Sequence, residues 1–253
     1  MREIQISVSV VVKVEEQWEL ENDAGAVVWD AALVLSHFLI HSQEVSSLQA
    51  TSGPTGLKGK TVLELGSGTG VVGLVAAALG ASAVLLTDLC HLTSYLSSNI
   101  KLNSMEGCVM SLELEWGNPA HISAVLKQLR KMKGKNQEFE VPVSPLKENL
   151  GDAFGQQHFP DIILGSDLVY KLSELDSLFF TLALLCGPGT TIILCQEDRP
   201  GTEAFHDVAA AHGFIERKLP EQVLHPEWRS EDIASFKNQG IRFRRFTISL
   251  GLK

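Results

Sequence analysis

The sequence predicts a doubly wound α/β domain, and three observations support this prediction. From Lys60 onward, short apolar strands alternate with helical segments, which is typical of a parallel sheet with helices on both faces. A glycine-rich turn follows the first of these strands. Near the end of the chain, "FIERKLP" and "RFRRFTISL" read as two further strands. These two would form an antiparallel edge, so we expect a Rossmann-like, seven-stranded mixed sheet.

The seven strands are predicted from their apolar residues and the turn residues between them. The first five read "TVLEL", "SAVLLTD", "VMSLELEW", "DIILGSD" and "TTIILCQE". Helices are predicted over "GVVGLVAAALG", residues 92–102 and residues 172–185. Residues 117–160 are polar and rich in Gly, Pro and Lys, which indicates a helix followed by an irregular excursion.

The N-terminal part of the chain differs from this alternating pattern. Residues 4–14 alternate like one half-buried strand, and residues 27–40 have the length and apolar content of a largely buried helix. Serine, glycine and proline in the following polar stretch are expected to end that helix. Without a repeat or a linker, the sequence predicts a single domain over 1–253, with an N-terminal extension of about 1–58 and a core of about 59–253.

Charge and composition restrict the functional classes. The formal net charge of −9 argues against nucleic acid as a partner, because such proteins gather positive charge. No apolar run reaches membrane-spanning length, and the first residues alternate unlike a secretory signal. The cysteine and histidine spacings do not suit a metal site. We therefore expect a cytoplasmic protein that binds no nucleic acid, membrane or metal.

The glycine-rich turn "LELGSGTGVVGL" fits two cofactor signatures. Counted from Gly68, it matches the Gly-x-Gly-x-x-Gly fingerprint of dinucleotide-binding proteins. Counted from Glu64, it is an acid-x-Gly-x-Gly-x-Gly turn, the signature of enzymes that bind S-adenosylmethionine. Because the strand ends at Leu65, the turn must begin at Gly66, which favours the second signature. Gly73 is then explained as a small residue where the helix packs on the sheet.

Glu64 strengthens this interpretation. S-adenosylmethionine carries an amino acid and a cationic sulfonium, whereas a dinucleotide carries a pyrophosphate that requires positive charge. A carboxylate at position 64 can serve the ammonium end of the methyl donor, directly or through water, and can orient the loop. The turn and its acid therefore predict S-adenosylmethionine as the cofactor.

Two residues at the ends of the next strands are candidates for binding the nucleoside. Asp88 ends the second strand, where a carboxylate can accept hydrogen bonds from both ribose hydroxyls. The alternative is that Asp88 is the N-cap of the following helix. Trp116 ends the third predicted strand, where its indole can cover an adenine. The alternative is a tryptophan that belongs to the core.

Five segments carry a family resemblance: "VVWDAALVLSHFL", "VLELGSGTGVVGL", "LLTDL", "LEWG" and "ILGSDLVY". In this order they resemble the seven-stranded class I methyltransferases of the methyltransferase-like 21 group, and most of all those that act on lysine in valosin-containing protein. "EWRSEDI" near the end is similar as well. The resemblance implies a protein-lysine N-methyltransferase that converts S-adenosylmethionine to S-adenosylhomocysteine. It also implies a protein substrate with a target lysine, with a chaperone or AAA ATPase as candidates.

The resemblance also implies positions for the two substrates. The donor-site residues carried over from the family are Trp29, Gly66, Ser67, Gly68, Asp88, Trp116 and Ser166. The group's Asp-x-x-Tyr signature falls on Asp167 and Tyr170, which we predict to be catalytic.

Chemistry supports these two catalytic candidates. A lysine must lose a proton before its lone pair can be aimed at a methyl group. Asp167 follows the fourth strand, where it can hold the amine, and Tyr170 offers a hydroxyl and an aromatic wall for a cationic group. The structural alternatives are a helix cap for Asp167 and a core or rim aromatic for Tyr170.

Three other functions are compatible with parts of the sequence. A methyltransferase for a small-molecule amine would use the same core, since the fold is silent about acceptor size. A nicotinamide-dependent oxidoreductase would use the glycines counted from Gly68. A non-catalytic interaction protein could retain the fold.

The sequence departs from the family resemblance in two regions. Residues 117–160 form a longer excursion than in the valosin-directed enzymes, and the N-terminal strand also differs. Both regions can shape target recognition.

Overall fold

A computed structural model defines most of the chain. It describes residues 1–17, 24–49, 56–134, 159–169, 171–197, 203–220, 224, 228 and 246–252. Tyr170 and the region 135–158 lie outside the described residues, as does most of the "EWRSEDI" segment.

The strands form two separate sheets. Their bounds are β1 (Arg2–Ser7), β2 (Val10–Val14), β3 (Thr61–Leu65), β4 (Ala83–Asp88), β5 (Val109–Glu113), β6 (Ile162–Ser166), β7 (Thr191–Glu197), β8 (Ile215–Lys218) and β9 (Phe246–Leu252). The larger sheet has the order β5-β4-β3-β6-β7-β9-β8. The first five strands of this order are parallel, and β9 is antiparallel to both β7 and β8. The predicted seven-stranded mixed sheet with an antiparallel edge is confirmed.

Six α-helices are present among the described residues. They are α1 (Asp30–Gln49), α2 (Val71–Ala78), α3 (Cys90–Leu102), α4 (Pro119–Met132), α5 (Leu175–Leu185) and α6 (Glu203–Ala211). Short 3-10 turns at Ala24–Ala26 and Leu172–Glu174 precede α1 and α5.

The helices cover both faces of the larger sheet. In β3, Val62 belongs to a core formed with the first three helices and the hairpin of β1 and β2, while its neighbour Leu63 belongs to a second core formed with α4, α5 and α6. Both side chains are completely buried, as expected for a central parallel strand. The sheet is therefore covered on both sides, and its strand ends remain as the place for a binding site.

The structure corrects the prediction for the N-terminal region. Residues 4–14 form an antiparallel hairpin, in which Arg2 pairs with Val14 and Ser7 with Val10. The two-residue turn at Val8–Ser9 lacks the glycine or asparagine that usually indicates a hairpin. Helix α1 also continues to Gln49, well beyond the predicted end, because its polar residues do not themselves interrupt a helix.

Two other boundaries and one helix differ from the predictions. Strand β5 ends at Glu113, so Trp116 lies beyond the strand instead of at its end. The helix predicted over 172–185 begins as a 3-10 turn before α5. Helix α6 was not predicted from the sequence. The helix expected within 117–160 is present as α4.

The order of the strands places a crevice at the ends of β3, β4 and β6. Strand β3 pairs with β4 on one side and with β6 on the other, so the chain reverses its direction of winding at this point. Where the loops after two neighbouring strands lead to opposite faces of the sheet, a crevice opens at the carboxyl ends of these strands. The glycine turn, Asp88 and Asp167 all follow strands that end here.

Candidate functional site

The crevice at this winding reversal encloses about 560 Å³. Its walls come from the glycine turn after β3, the ends of β4 and β6, the loop after β5, and the segment that leads into α1. Of the predicted site residues, the lining includes Trp29, Gly66, Ser67, Gly68, Asp88, Trp116, Ser166 and Asp167. The fold thus gathers residues from widely separated parts of the chain into one cavity.

The glycine turn begins at Gly66, as predicted. Gly66, Gly68 and Gly70 have φ angles of 54°, 53° and 79°, in the left-handed region that favours glycine. A Cβ atom on Gly66 would lie 2.7 Å from Leu168 Cδ2, and one on Gly68 would lie 2.8 Å from the carbonyl oxygen of Gly25. Both positions therefore need glycine for conformation and for space.

Gly73 has the packing role that the sequence predicted. A Cβ atom there would lie 2.2 Å from Leu86 Cδ2 and 3.2 Å from Val84 Cγ1, so α2 could not lie as close to β4 with a larger residue. The same Cβ would also lie 2.7 Å from Glu64 Oε2. At Gly73, α2 therefore packs closely against both β4 and the buried side chain of Glu64.

Glu64 does not line the crevice, which corrects the predicted direct contact with a ligand. The residue is only 1% exposed, and its Oε2 accepts a hydrogen bond of 2.9 Å from the Gly73 N–H in the first turn of α2. This N–H has no acceptor within the helix, so the carboxyl satisfies it. The other predicted role, orientation of the loop, agrees with this geometry.

Burial changes the ionisation of Glu64. Desolvation raises its pKa from 4.5 to about 8, although hydrogen bonds from Gly73 and Ser67 oppose the rise. The nearby charge of Asp88 raises the pKa further. The carboxyl under the turn therefore retains its proton to a higher pH than an exposed glutamate does.

The Ser67 side chain forms hydrogen bonds with the backbone around the glycine turn. Its hydroxyl donates to the Glu64 carbonyl oxygen at 3.2 Å and accepts from the Thr87 N–H at 3.0 Å. The Thr87 hydroxyl donates to the same carbonyl at 2.6 Å. These bonds join the turn to β4. Ser67 therefore contributes to the cavity wall mainly by fixing the backbone.

Asp88 lies in the crevice and is partly exposed. Its Oδ2 accepts from the Gly68 N–H at 2.7 Å, and its Oδ1 accepts from the Leu89 N–H at 2.8 Å. The N-cap of α3 is Leu89, so Asp88 is not the helix cap that was the structural alternative. A carboxylate can accept several hydrogen bonds, and ribose hydroxyls are donors that it can bind.

Two tryptophans from different segments line the cavity: Trp29 precedes α1, and Trp116 follows β5. Trp116 lines the crevice and also packs against the core, so its contact with an adenine remains a prediction. Its Cζ2 would lie 3.4 Å from a Cβ on Gly66, which places the indole beside the turn. Trp29, directly before α1, is 40% exposed. Two aromatic side chains therefore contribute to the cavity wall.

Asp167 follows β6 and is held in an unusual conformation. Its φ angle is 54°, one of two positive values among the described non-glycine residues, and its N–H donates to the Cys195 carbonyl at 2.8 Å. Aspartate tolerates this region better than most residues. The cap residues of the following helical segments are Lys171 and Glu174, so Asp167 is not a cap. Ser166 lies beside it on the cavity wall.

Several cavity residues were missed from the sequence. Glu115 and Glu174 add carboxylates to those of Asp88 and Asp167, and Lys171 adds one positive charge. Glu115 adjoins the "WG" motif and Glu174 follows the Asp-x-x-Tyr signature, so proximity to the motifs was the available signal. With four carboxylates and one lysine, the described wall favours cationic ligands.

Two kinds of feature are absent from the described ranges. Within them, no group of three or more His, Cys, Asp or Glu side chains is arranged to hold a metal ion. In that part of the chain there is also no helix whose length and apolar content would allow it to cross a bilayer.

Sequence comparison shows the family to which this chain belongs. The model of a family described as lysine methyltransferase matches residues 8–130 and 123–210. Protein N-lysine methyltransferase METTL21A of Mus musculus is 33% identical over 219 residues, covering 85% of this chain and 80% of that protein. The chain belongs to the lysine methyltransferase family. The predicted resemblance to the methyltransferase-like 21 group is thereby confirmed.

Other relatives agree with this assignment. METTL21A of Danio rerio is 34% identical over 186 residues, covering 72% of this chain and 65% of that protein. EEF1A lysine methyltransferase 3 of Xenopus tropicalis is 29% identical over 221 residues, covering 84% and 78%. Membership of this family argues against the alternative of a nicotinamide-dependent oxidoreductase.

The pKa of Glu64 leads to a prediction about stability. Because its folded-state pKa of about 8 exceeds the ordinary 4.5, the folded protein keeps a proton that the unfolded chain releases between these values. The contribution of this retained proton to the free energy of unfolding is fully present below pH 4.5. It is lost as the pH rises toward 8. Glu64→Gln keeps an acceptor for Gly73 without this titration. Relative to wild type, the variant should gain up to about 1.4 kcal/mol of unfolding free energy per pH unit across this window.

The measurement is denaturant unfolding of both proteins, without ligand, at a series of pH values. Other titrating groups cancel in the difference between the two proteins. Parallel stability profiles for wild type and Glu64→Gln would show that Glu64 has an ordinary pKa.

Proposed function

We propose that this chain is an S-adenosylmethionine-dependent protein-lysine N-methyltransferase, and that both substrates meet in the crevice. One observation carries the proposal: Asp88 and Asp167 lie on the wall of one cavity, after strands on either side of the glycine turn. Strands β4 and β6 are separated by β3, which corresponds to roughly 10 Å at ordinary strand spacing. One nucleoside can therefore extend from the first carboxylate toward the second.

The residues on the wall suit the methyl donor. S-adenosylmethionine supplies an electrophilic methyl group on a cationic sulfonium. Asp88 would accept the ribose hydroxyls, and Trp116 would cover the adenine with its indole. Gly66, Gly68 and Trp29 line the same cavity, and the amino-acid end of the donor would lie beside them. The excess of carboxylates supports a positively charged donor over a pyrophosphate.

Asp167 would orient the acceptor. Its carboxylate can accept N–H bonds from a lysine amine and so direct the lone pair toward the methyl group. The negative charge attracts the incoming ammonium but also raises the pKa of the amine, so its proton would leave to water. The strained backbone fixes the side-chain direction, as often occurs at functional sites. Tyr170 remains a predicted second contact, outside the described residues.

The acceptor would be a lysine of a cytoplasmic protein. The names of the relatives refer to protein N-lysine methylation and, for one group, to EEF1A. By this analogy the target is a protein, and a chaperone or AAA ATPase remains the candidate class from the sequence resemblance. A small-molecule amine is the competing acceptor class, since the fold does not limit acceptor size.

Labelling of a cell lysate distinguishes these acceptor classes. With purified enzyme and S-adenosylmethionine labelled in the methyl group, we expect label in a discrete protein band and in methyl-lysine after acid hydrolysis. A boiled enzyme is the control. Enzyme-dependent label that appears only in small molecules, or in another residue type, would contradict the protein-lysine proposal.

Asp88→Ala tests the donor site. Loss of hydrogen bonds from ribose hydroxyls to a charged acceptor should weaken binding of S-adenosylhomocysteine by about 1.5 to 3 kcal/mol. Isothermal titration calorimetry measures this change, and circular dichroism checks the fold. Glu106→Ala, an exposed acid in the loop before β5, is the matched control and should bind like wild type. Unchanged affinity in folded Asp88→Ala would remove this residue from the donor site.

Asp167→Asn tests the acceptor site. The amide keeps the shape and tolerates positive φ, so the fold and donor affinity should be nearly unchanged. Without the charge, the single-turnover methylation rate should fall by a factor of about ten or more, which corresponds to about 1.4 kcal/mol or more in the barrier. Weaker donor binding with a normal rate at saturating donor would instead assign Asp167 to the donor site.

A further inference from the structure

The segment that leads into α1 forms one wall of the crevice. We call residues 24–28 the strap. Gly25 and Val27 line the cavity, and the Gly25 carbonyl oxygen would lie 2.8 Å from a Cβ on Gly68. The strap backbone is therefore in direct contact with the glycine turn. Its position sets the width of the crevice on the side of Trp29.

The strap is held by the chain that follows the N-terminal hairpin. The Gln17 N–H donates to the Ala26 carbonyl at 2.9 Å, and the Val28 N–H donates to Glu16 Oε1 at 3.0 Å. The Tyr95 hydroxyl from α3 lies within hydrogen-bond distance of two carbonyl oxygens, that of Glu15 and that of Ala26. The strap is thus hydrogen-bonded at Ala26 and Val28 to the two residues Glu16 and Gln17, which follow the hairpin.

The same chain segment is connected to the glycine turn. The Glu15 N–H donates to Asn99 Oδ1 at 2.9 Å, and Asn99 Nδ2 donates to the Thr69 carbonyl at 2.9 Å. The Asn99 side chain is completely buried, so these bonds are not replaced by water at low cost. Residues 15–17, which we call the brace, are therefore linked to both the strap and the turn.

Glu16 is the charged centre of the brace. Its side chain is only 6% exposed, and its Oε2 lies 3.4 Å from Arg2 Nε of β1. Arg2 Nη2 donates to Oε1 at 3.5 Å. A buried carboxylate needs such a partner and a hydrogen bond, and Arg2 and Val28 provide them. The ion pair connects the first strand to the residue directly before Trp29.

We propose that Glu16, supported by Arg2, is a positioning residue for the methyl donor, because the brace holds the strap at the correct distance from the glycine turn. This inference rests on the proposed donor site. Neither residue lines the crevice, so each acts through Val28 and the strap. The N-terminal hairpin thereby becomes part of the donor site.

The test compares variants of the intact protein for donor binding and for turnover. Glu16→Ala should raise the dissociation constant for S-adenosylhomocysteine by about tenfold and the KM for S-adenosylmethionine similarly. At saturating donor, kcat and the KM for the protein acceptor should stay within about twofold. Glu16→Gln retains an oxygen for the Val28 N–H and should recover most of the affinity. Glu3→Ala, which removes an exposed acid of the same hairpin, should behave like wild type.

Tyr95→Phe is a second variant in case Glu16→Ala does not fold. It removes the hydroxyl that lies between the Glu15 and Ala26 carbonyl oxygens and should weaken donor binding several-fold. Wild-type donor affinity in folded Glu16→Ala, or in Tyr95→Phe where the first does not fold, would overturn the proposal. So would equal losses of affinity in the Gln and Ala variants. If the wild-type protein binds the donor but methylates no lysine, the proposed function is contradicted. The effect of the brace on donor affinity can still be measured by calorimetry in that case.

Discussion

The site depends on one buried hydrogen bond, from the Gly73 N–H to the Glu64 carboxyl. It joins the central strand to the first turn of α2 across the glycine turn. The bond spans the three left-handed glycines, so it fixes both ends of a backbone that would otherwise have many conformations. Ser67 and Thr87 then attach the turn to β4. The cavity floor is therefore rigid before any ligand binds.

The charge of the cavity follows from this arrangement. Burial raises the pKa of Glu64, whereas the partly exposed Asp88 lies at the surface of the same turn. The charge of Asp88 raises the pKa of Glu64 further, so two adjacent negative charges under the ligand are disfavoured. The accessible carboxylates at Asp88 and Asp167 are then available to a cationic donor and an incoming ammonium.

Much of the fold was predictable because the signals are local. Apolar strands bounded by turns gave β3, β4, β6 and β7, and the position of Leu65 fixed the start of the glycine turn. The hairpin at the N-terminus was not predictable, because Val8 and Ser9 carry no turn signal. The direction of the Glu64 side chain was also inaccessible, since residues at a strand end can face either the crevice or the helix. The strap and brace depend on contacts between distant residues, which periodicity does not reveal.

The central claim is that one crevice holds the donor next to Asp167. The most direct measurement is a crystal structure of this chain with S-adenosylhomocysteine. We expect the ribose hydroxyls within hydrogen-bond distance of Asp88, the adenine against Trp116, and the sulfur facing Asp167. Product bound elsewhere, or product whose sulfur faces away from Asp167, would contradict it.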